Sequence, residues 1–202
     1  MKRITLVLLG TLILVVMTGC GKNKVSITAE DVTTNTIVIK EDNTVQSSIV
    51  EDFDKEYYSQ EELETFIKEE VTDYNEKNGE DQIKMHSIHV ADKKASVVFN
   101  YNDIDDYSIF NGISAKLLTT SQALQEDSIL TLSEFVEVKS GDTVSRETAL
   151  NKEDATVLII QEPLEIKIDG TILYYSNAEK VDKNVLQASG ENITVVVFAK
   201  KK

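Results

Sequence analysis

The stretch of residues 164–176 constrains the fold of this 202-residue chain more than any other segment. Apolar and polar residues alternate through it, and a period of two is typical of a β-strand with one buried face. The dipeptide Asp169-Gly170 lies in the middle, and Asp-Gly is favoured in the two-residue type I′ turns of β-hairpins. The sequence therefore predicts a hairpin here, with Ile166 opposite Leu173.

Two further hairpins are predicted in the first half of the chain. Residues 36–40 and 45–53 are rich in β-branched and apolar side chains, which favours a pair of strands joined near residues 42–43. Residues 83–101 alternate again around a turn at Asp92-Lys93. This second hairpin places Ile88 opposite Val97 and His86 opposite Phe99.

One helix is predicted between these hairpins, from Ser59 to Asn78. Ser59 and Glu62 have the spacing of a capping box, and Gly79 follows as a stop signal. Apolar side chains recur at helical spacing, so we expect one face of the helix to be buried. The residues on that face are Leu63, Phe66, Ile67, Val71 and Tyr74.

The second half of the chain is predicted to be mostly β. Residues 156–160 form an uninterrupted apolar run typical of a strand that is covered on both faces, and residues 192–199 form another. Ser140-Gly141-Asp142 marks the point where the sequence pattern changes from mixed helix and strand to almost entirely strand. The sequence therefore predicts an α+β fold, with a hairpin, helix and hairpin part at residues 36–139 and a mostly antiparallel β part at residues 140–202. It leaves open whether the two parts share one core.

The N-terminus has the layout of a secretory signal. Residues 1–3 are a short cationic start, and residues 4–17 are an apolar run of 14 residues. As a helix this run would reach only about 21 Å, which is short of the roughly 30 Å hydrocarbon core of a membrane. We therefore expect residues 1–19 to be a cleaved signal peptide and residues 20–35, which lack periodicity, to be a tether.

The end of this signal, Met17-Thr18-Gly19-Cys20, resembles the bacterial lipobox, with Met17 where leucine is usual. The resemblance implies that Cys20 receives a diacylglyceryl group and anchors the mature chain to the outer face of the cytoplasmic membrane. Two or more acyl chains hold a protein at a membrane stably, whereas one does so only marginally. The alternative is a secreted protein whose only cysteine lies near the cleavage site by chance.

Charge excludes several classes of function. The chain has 35 acidic and 21 basic residues, and cleavage before Cys20 would remove two of the bases and no acid, leaving 183 residues with a charge of −16. Arg3 and Arg146 are the only arginines, so we expect no nucleic-acid partner. No G-x-G pair occurs after residue 21, which argues against a nucleotide cofactor, and we expect none. An anionic bilayer surface would repel this chain, so the lipid on Cys20 would have to hold the protein at the membrane.

Three segments together resemble a family of clostridial-type bacterial lipoproteins that has no assigned activity. They are residues 49–58, with the sequence IVEDFDKEYY, residues 107–112 and residues 162–176. The resemblance spans most of the mature chain and implies a location in a Gram-positive envelope. It brings no catalytic residues with it.

Two acidic segments are candidates for weak cation binding. Asp52, Asp54 and Glu56 alternate, which would align three carboxylates on one side of a strand. Asn102, Asp103, Asp105 and Asp106 form a second cluster, although the calcium-loop template fails at Tyr107 and Asn111. Solvated acidic surface is the plainer interpretation of both.

The remaining candidates are histidines and tyrosines. His86 and His89 have H-x-x-H spacing, but on a strand they would point to opposite faces, so we expect no metal site there. The pairs Tyr57-Tyr58 and Tyr174-Tyr175 are candidate binding platforms, and in each pair one ring is expected to belong to the core.

These features favour a binding module over an enzyme. Lipidation would consume Cys20, no serine lies in a G-x-S-x-G elbow, and only two histidines are present as bases. We expect an envelope protein that binds a cell-wall polymer, a peptide or another envelope protein. The alternative is a carboxylate-dependent hydrolase acting on wall glycans or peptides, whereas a two-lobed transport receptor usually needs a longer chain.

Overall fold

The computed structural model describes residues 25–200 and confirms the α+β prediction, with 22% helix and 42% strand. Two sheets carry most of the described chain, and a few helices cover their faces. The helices are α1 (Gln60–Asn78), α2 (Ile104–Asn111), α3 (Thr120–Ala123) and α4 (Arg146–Leu150). The strands are β1 (Thr36–Ile39), β2 (Val45–Asp52), β3 (Ile83–Ala91), β4 (Lys94–Tyr101), β5 (Ala115–Thr119), β6 (Glu134–Glu137), β7 (Thr143–Ser145), β8 (Ala155–Ile160), β9 (Glu165–Ile168), β10 (Gly170–Ser176), β11 (Ala178–Asp182), β12 (Val185–Ala188) and β13 (Thr194–Lys200).

The first sheet has seven strands in the order β11-β12-β9-β1-β2-β4-β3. Neighbouring strands are antiparallel except β1 and β9, which run parallel. The second sheet has six antiparallel strands in the order β5-β8-β13-β10-β6-β7. The apolar runs predicted as covered strands are confirmed, because β8 and β13 lie side by side in the middle of this sheet.

The predicted hairpin at Asp169-Gly170 is wrong. The strands before and after this dipeptide belong to different sheets, since β9 pairs with β1 and β12 whereas β10 pairs with β13 and β6. Neither residue has the positive φ that a type I′ turn requires. Instead, the Asp169 N–H donates to the Ile39 carbonyl at 2.8 Å. A Cβ on Gly170 would lie 2.5 Å from the carbonyl oxygen of Ala199, so the close approach of the start of β10 to its neighbour β13 explains this glycine.

The two other hairpins and the long helix are confirmed. β1 pairs with β2, β3 pairs with β4, and Ile88 faces Val97 as predicted. One detail of the register is wrong, because a bulge displaces His86 and places Met85 opposite Phe99. At the start of α1, the Ser59 hydroxyl accepts a hydrogen bond from the Glu62 amide at 3.3 Å.

The largest apolar core lies between the two sheets and extends under α1. It joins β1, β4 and the early helices to β8, β9 and β13, so it contains residues from both sides of the change in pattern at residues 140–142. A second core covers the other face of the second sheet, where α3, α4 and Phe135 pack. Each sheet also takes strands from both halves of the chain.

The tether predicted at residues 20–35 is too long. Ile27, Ala29 and Val32 are buried on the outer face of β1 and β4, where they form a third small core. The Ile27 N–H also donates to Oε1 of Gln46 at 2.9 Å. Residues 25–32 therefore pack against the first sheet, and residues 20–24 of the predicted tether lie outside the described residues.

Candidate functional site

A groove of about 840 Å³ opens between α1 and α2, over the inner face of the first sheet. β2 and β4 form its floor, and the two helices form its walls. Its volume lies in the range of about 300–1,000 Å³ that is usual for ligand sites. The apolar side chains that line it are Ile49, Phe53, Leu63, Phe66, Ile67, Ala95, Val97, Phe99, Ile109 and Phe110.

The groove exists because α1 covers only the edge of the sheet. This helix packs on β3, whereas α2 packs on β4 and β5, so part of the floor between them stays open. Of the apolar residues expected on the buried face of α1, Ile67 and Tyr74 are buried. Phe66 is 57% exposed, so the prediction that it belongs to the core is wrong. On the opposite wall, Ile109 of α2 is 63% exposed.

An aromatic cluster adjoins the groove after β2. Phe53 lines the groove, and its ring lies 4.9 Å from that of Tyr58. The Tyr57 ring packs edge-on against Tyr58 at 5.0 Å and is 76% exposed. Neither tyrosine of this pair belongs to the core, contrary to the expectation for one of them. The exposed aromatic surface therefore continues from the groove onto Tyr57 and Tyr58.

Acidic side chains dominate the charges around the groove. Glu51, Glu70 and Asp73 line it, and Lys77 is the only cation among its lining residues in the described part of the chain. α1 as a whole carries seven acidic residues and two lysines. The groove thus combines an apolar floor with a negatively charged border.

One hydrogen bond joins the two walls. The Tyr74 hydroxyl of α1 donates to Oδ1 of Asp106 on α2 at 2.9 Å, and the Tyr74 ring packs edge-on against Phe110 at 5.5 Å. Asp106 is only 8% exposed, and within residues 25–200 its Oδ2 has no hydrogen-bond partner. Tyr74 and Asp106 therefore fix the separation of the two helices.

The surroundings of Tyr74 and Asp106 raise the pKa of both side chains. Burial raises the pKa of Asp106, the Tyr74 hydrogen bond opposes the shift, and the charges of Asp103 and Asp105 add to it. Burial, followed by the hydrogen bond to Asp106, raises the pKa of Tyr74 to about 12. Burial likewise raises the pKa of Tyr101 to about 12, although hydrogen bonds from Ser47 and Asn111 oppose it.

The second acidic cluster has structural roles in this region. Oδ1 of Asp103 accepts hydrogen bonds from the amides of Asp105 and Asp106, both at 2.9 Å, and so caps α2. The Asn102 side chain donates to Gln82 at 3.2 Å. The structure therefore brings these residues together as a helix N-terminus beside the groove.

The first acidic segment is partly neutralised by lysines. Asp52 forms an ion pair with Lys94 at 2.6 Å, and this hydrogen bond and charge hold the pKa of Asp52 below its ordinary value. Asp54 pairs with Lys55 at 2.9 Å, and Glu56 lies in the following exposed turn. Within residues 25–200, no three histidine, cysteine or carboxylate side chains are grouped so as to hold a metal ion.

The histidines and the second tyrosine pair lie away from the groove floor. His86 is exposed in the bulge of β3, and His89 is half-buried opposite Ser96. In β10, Tyr174 is buried in the second core and Tyr175 is half-buried against the first, so the expectation of one core ring holds for this pair.

Cys20 and the other lipobox residues, Met17, Thr18 and Gly19, lie outside the described residues. Among the helices of residues 25–200, none has both the length and the apolar character needed to cross a membrane. The chain matches no protein-family model, no curated protein and no solved structure. The lipobox and the family resemblance therefore stay predictions from the sequence.

Sequence reasoning missed the groove, although part of its signal was present. Phe66 precedes Ile67 and lies at the lateral edge of the apolar stripe of α1, and Ile109 is an apolar residue within an acidic stretch. Only the position of α1 over β3 decides that these side chains face an opening and not a core.

Proposed function

We propose that this chain is a lipid-anchored extracytoplasmic binding module of the cell envelope, and that its groove binds a peptide segment with apolar side chains and positive charge. One observation carries the proposal. An apolar groove walled by the exposed side chains of Phe66 and Ile109 has a border of three carboxylates and one ammonium group.

The apolar part of the groove supports a ligand with hydrophobic side chains. Large exposed apolar surfaces that cluster at one place are typical of binding sites, whereas isolated ones are ordinary. Phe66, Ile109 and Tyr58 are all exposed and all lie in or beside this groove. A bound apolar side chain would bury them at about 25 cal/mol per Å² of apolar surface.

The charges support a peptide with basic residues. Glu51, Glu70 and Asp73 would attract cations and repel acidic segments, and the strongly anionic protein would steer basic partners toward it. Such a partner is another envelope protein or a free peptide.

The anchor rests on the sequence alone. Acylated Cys20 would hold the protein at the outer face of the cytoplasmic membrane, with membrane lipid as its first partner. If so, replacing Cys20 with alanine abolishes metabolic labelling with a fatty acid. Labelling that persists in the Cys20→Ala chain would refute the anchor without bearing on the groove.

Peptide binding tests the groove directly. The probe is a 12-residue peptide of leucine and lysine, compared with one in which glutamate replaces each lysine and one in which serine replaces each leucine. We expect fluorescence anisotropy with the soluble chain, residues 21–202, to show binding of the first peptide only. Equal binding of the glutamate peptide, or no binding of any, would contradict the proposal.

A matched pair of variants locates the binding. Ile109 and Val181 are aliphatic residues with similar exposure, at 63% and 59%, but only Ile109 lines the groove. Ile109→Ala should weaken peptide binding about five- to tenfold, the equivalent of about 1–1.4 kcal/mol of lost apolar contact, and Val181→Ala should not. Cleavage of the peptide, abolished by Asp106→Asn, would instead support the hydrolase alternative.

A further inference from the structure

A second pocket, of about 530 Å³, concentrates positive charge in this acidic protein. Four lysines line it, and Glu137 is its only acidic lining residue within the described chain. The four are Lys139, Lys152, Lys180 and Lys183, which we call the lysine pocket. Its local charge is therefore about +3, whereas the whole chain carries −14.

The fold builds this pocket at a notch in the second sheet. β6 ends at Glu137 and pairs with β10 only at Tyr174 and Tyr175, so the first residues of β10 have a strand partner on one side only, β13. The lysines converge from three directions, since Lys139 follows β6, Lys152 follows α4, and the other two belong to the β11–β12 hairpin. Ile172 and Tyr174 of β10 form its apolar part.

The charge of the pocket is not neutralised internally. In residues 25–200, none of its four lysines forms an ion pair, and Glu137 accepts a hydrogen bond from the Ser140 hydroxyl at 2.7 Å. Six other lysines do form ion pairs: Lys55, Lys68, Lys84, Lys94, Lys116 and Lys167. Like charges that converge on one opening repel each other, and an anion in the opening relieves that repulsion.

We propose that the lysine pocket binds a phosphate-bearing ligand. A net charge near +3 matches a multiply charged anion better than a single carboxylate, and each ammonium group offers three donors for phosphate oxygens. Leu173, which is only partly buried, provides apolar contact for the organic part of the ligand. Lys152 Nζ lies 5.8 Å from the centre of the Tyr174 ring, and this cation–π contact holds the ammonium group at the wall of the pocket.

This site is independent of the groove, because no residue lines both. Its ligand is the headgroup of an anionic phospholipid or a soluble phosphate compound, and both present the same chemistry to the lysines. Phosphate binding at the lysine pocket therefore does not depend on peptide binding in the groove.

The test uses the full chain reconstituted in phosphatidylcholine vesicles, with pyrophosphate as the soluble probe. Equilibrium dialysis of labelled pyrophosphate gives its affinity. The pocket variant is Lys152→Gln with Lys183→Gln, and the charge-matched control is Lys93→Gln with Lys200→Gln, two lysines outside the pocket. We expect at least a tenfold loss of affinity in the pocket variant and less than a twofold loss in the control.

A second arm identifies the source of the phosphate. Adding phosphatidylglycerol to the vesicles weakens pyrophosphate binding if the lipid headgroup occupies the pocket, and leaves it unchanged if the ligand is soluble. Either result supports the site once the two variants differ. Equal losses in the pocket variant and the control, or no saturable pyrophosphate binding at millimolar concentration, would overturn the proposal.

Discussion

The hydrogen bond between Tyr74 and Asp106 should contribute to stability in a pH-dependent way, and Tyr74→Phe removes it without changing the packing of the ring. The bond is 2.9 Å long and buried, and it joins the two helices that form the groove walls. Oδ2 of Asp106 already has no partner within residues 25–200. In the variant, the carboxylate would therefore lose the one hydrogen bond made by its side chain.

The size of the effect follows from the charge on Asp106. A hydrogen bond to an ionised group contributes about 1.5–3 kcal/mol, whereas one between neutral groups contributes about 0.5–1.5 kcal/mol. We therefore expect Tyr74→Phe to lower the free energy of unfolding by about 1.5–3 kcal/mol at pH 7.5, where Asp106 is ionised, and by roughly half as much at pH 3.5.

The sign of the pH dependence follows from the pKa of Asp106, which lies above its ordinary value of 3.8. Between those two values the native protein binds more protons than the unfolded protein, so the free energy of unfolding falls as the pH rises through the native pKa. The Tyr74 hydroxyl lowers that pKa. Removing it raises the pKa further, and the variant loses more stability at neutral pH than in acid.

Urea unfolding followed by circular dichroism at the two pH values measures this effect. Asp106→Asn is the control background, since its amide has no charge to titrate near pH 4. There we expect the Tyr74→Phe effect to be the same at pH 3.5 and pH 7.5. A loss of less than about 0.5 kcal/mol at pH 7.5 in the otherwise natural chain, or one equal at both pH values, would refute the reasoning.

Three other features of the fold lead to predictions about how the protein unfolds. Because buried Tyr74 and Tyr101 have pKa values of about 12, unfolding in urea should become easier between pH 10 and 12, by about 1.4 kcal/mol per pH unit for each tyrosine that ionises only when unfolded. Gly190 and Gly141 both have positive φ, but only at Gly190 would a Cβ meet Pro163, at 2.7 Å. Thermal melts should therefore show Gly190→Ala to be less stable than Gly141→Ala by about 1–3 kcal/mol. Calorimetry should show one transition, because both sheets combine strands from both halves of the chain.

The strands could be predicted from the sequence because burial dictates the alternation of side chains, whatever the partner strand is. This is also why the hairpin at Asp169-Gly170 was wrong. A segment that leaves one sheet and enters the opposite one shows the same alternation as a hairpin, since each strand still turns one face to the shared core. Only the long-range pairing of β9 with β1 and of β10 with β13 separates the two arrangements.

The candidate sites were harder to predict than the strands because their residues are far apart in the sequence. The groove depends on where α1 lies on the sheet, and the spacing of Phe66 on a helix carries no information about that position. The lysine pocket joins residues from 139 to 183, which no local motif connects. The composition of the segment at Asp52 predicted a cation site, yet the Asp52 carboxylate is paired with Lys94.

The two proposed sites place opposite demands on one strongly anionic body. For a basic peptide, the long-range field of the protein and the local carboxylates of the groove act in the same direction, so the field speeds association. For a phosphate ligand they oppose each other, because the protein repels the anion at a distance and the lysines attract it only nearby. At physiological ionic strength the screening length is about 8 Å, which suppresses the distant repulsion more than the short contacts inside the pocket. An anionic protein can therefore hold a phosphate site, provided that its lysines line one pocket and form no ion pairs, as those of the lysine pocket do within the described chain.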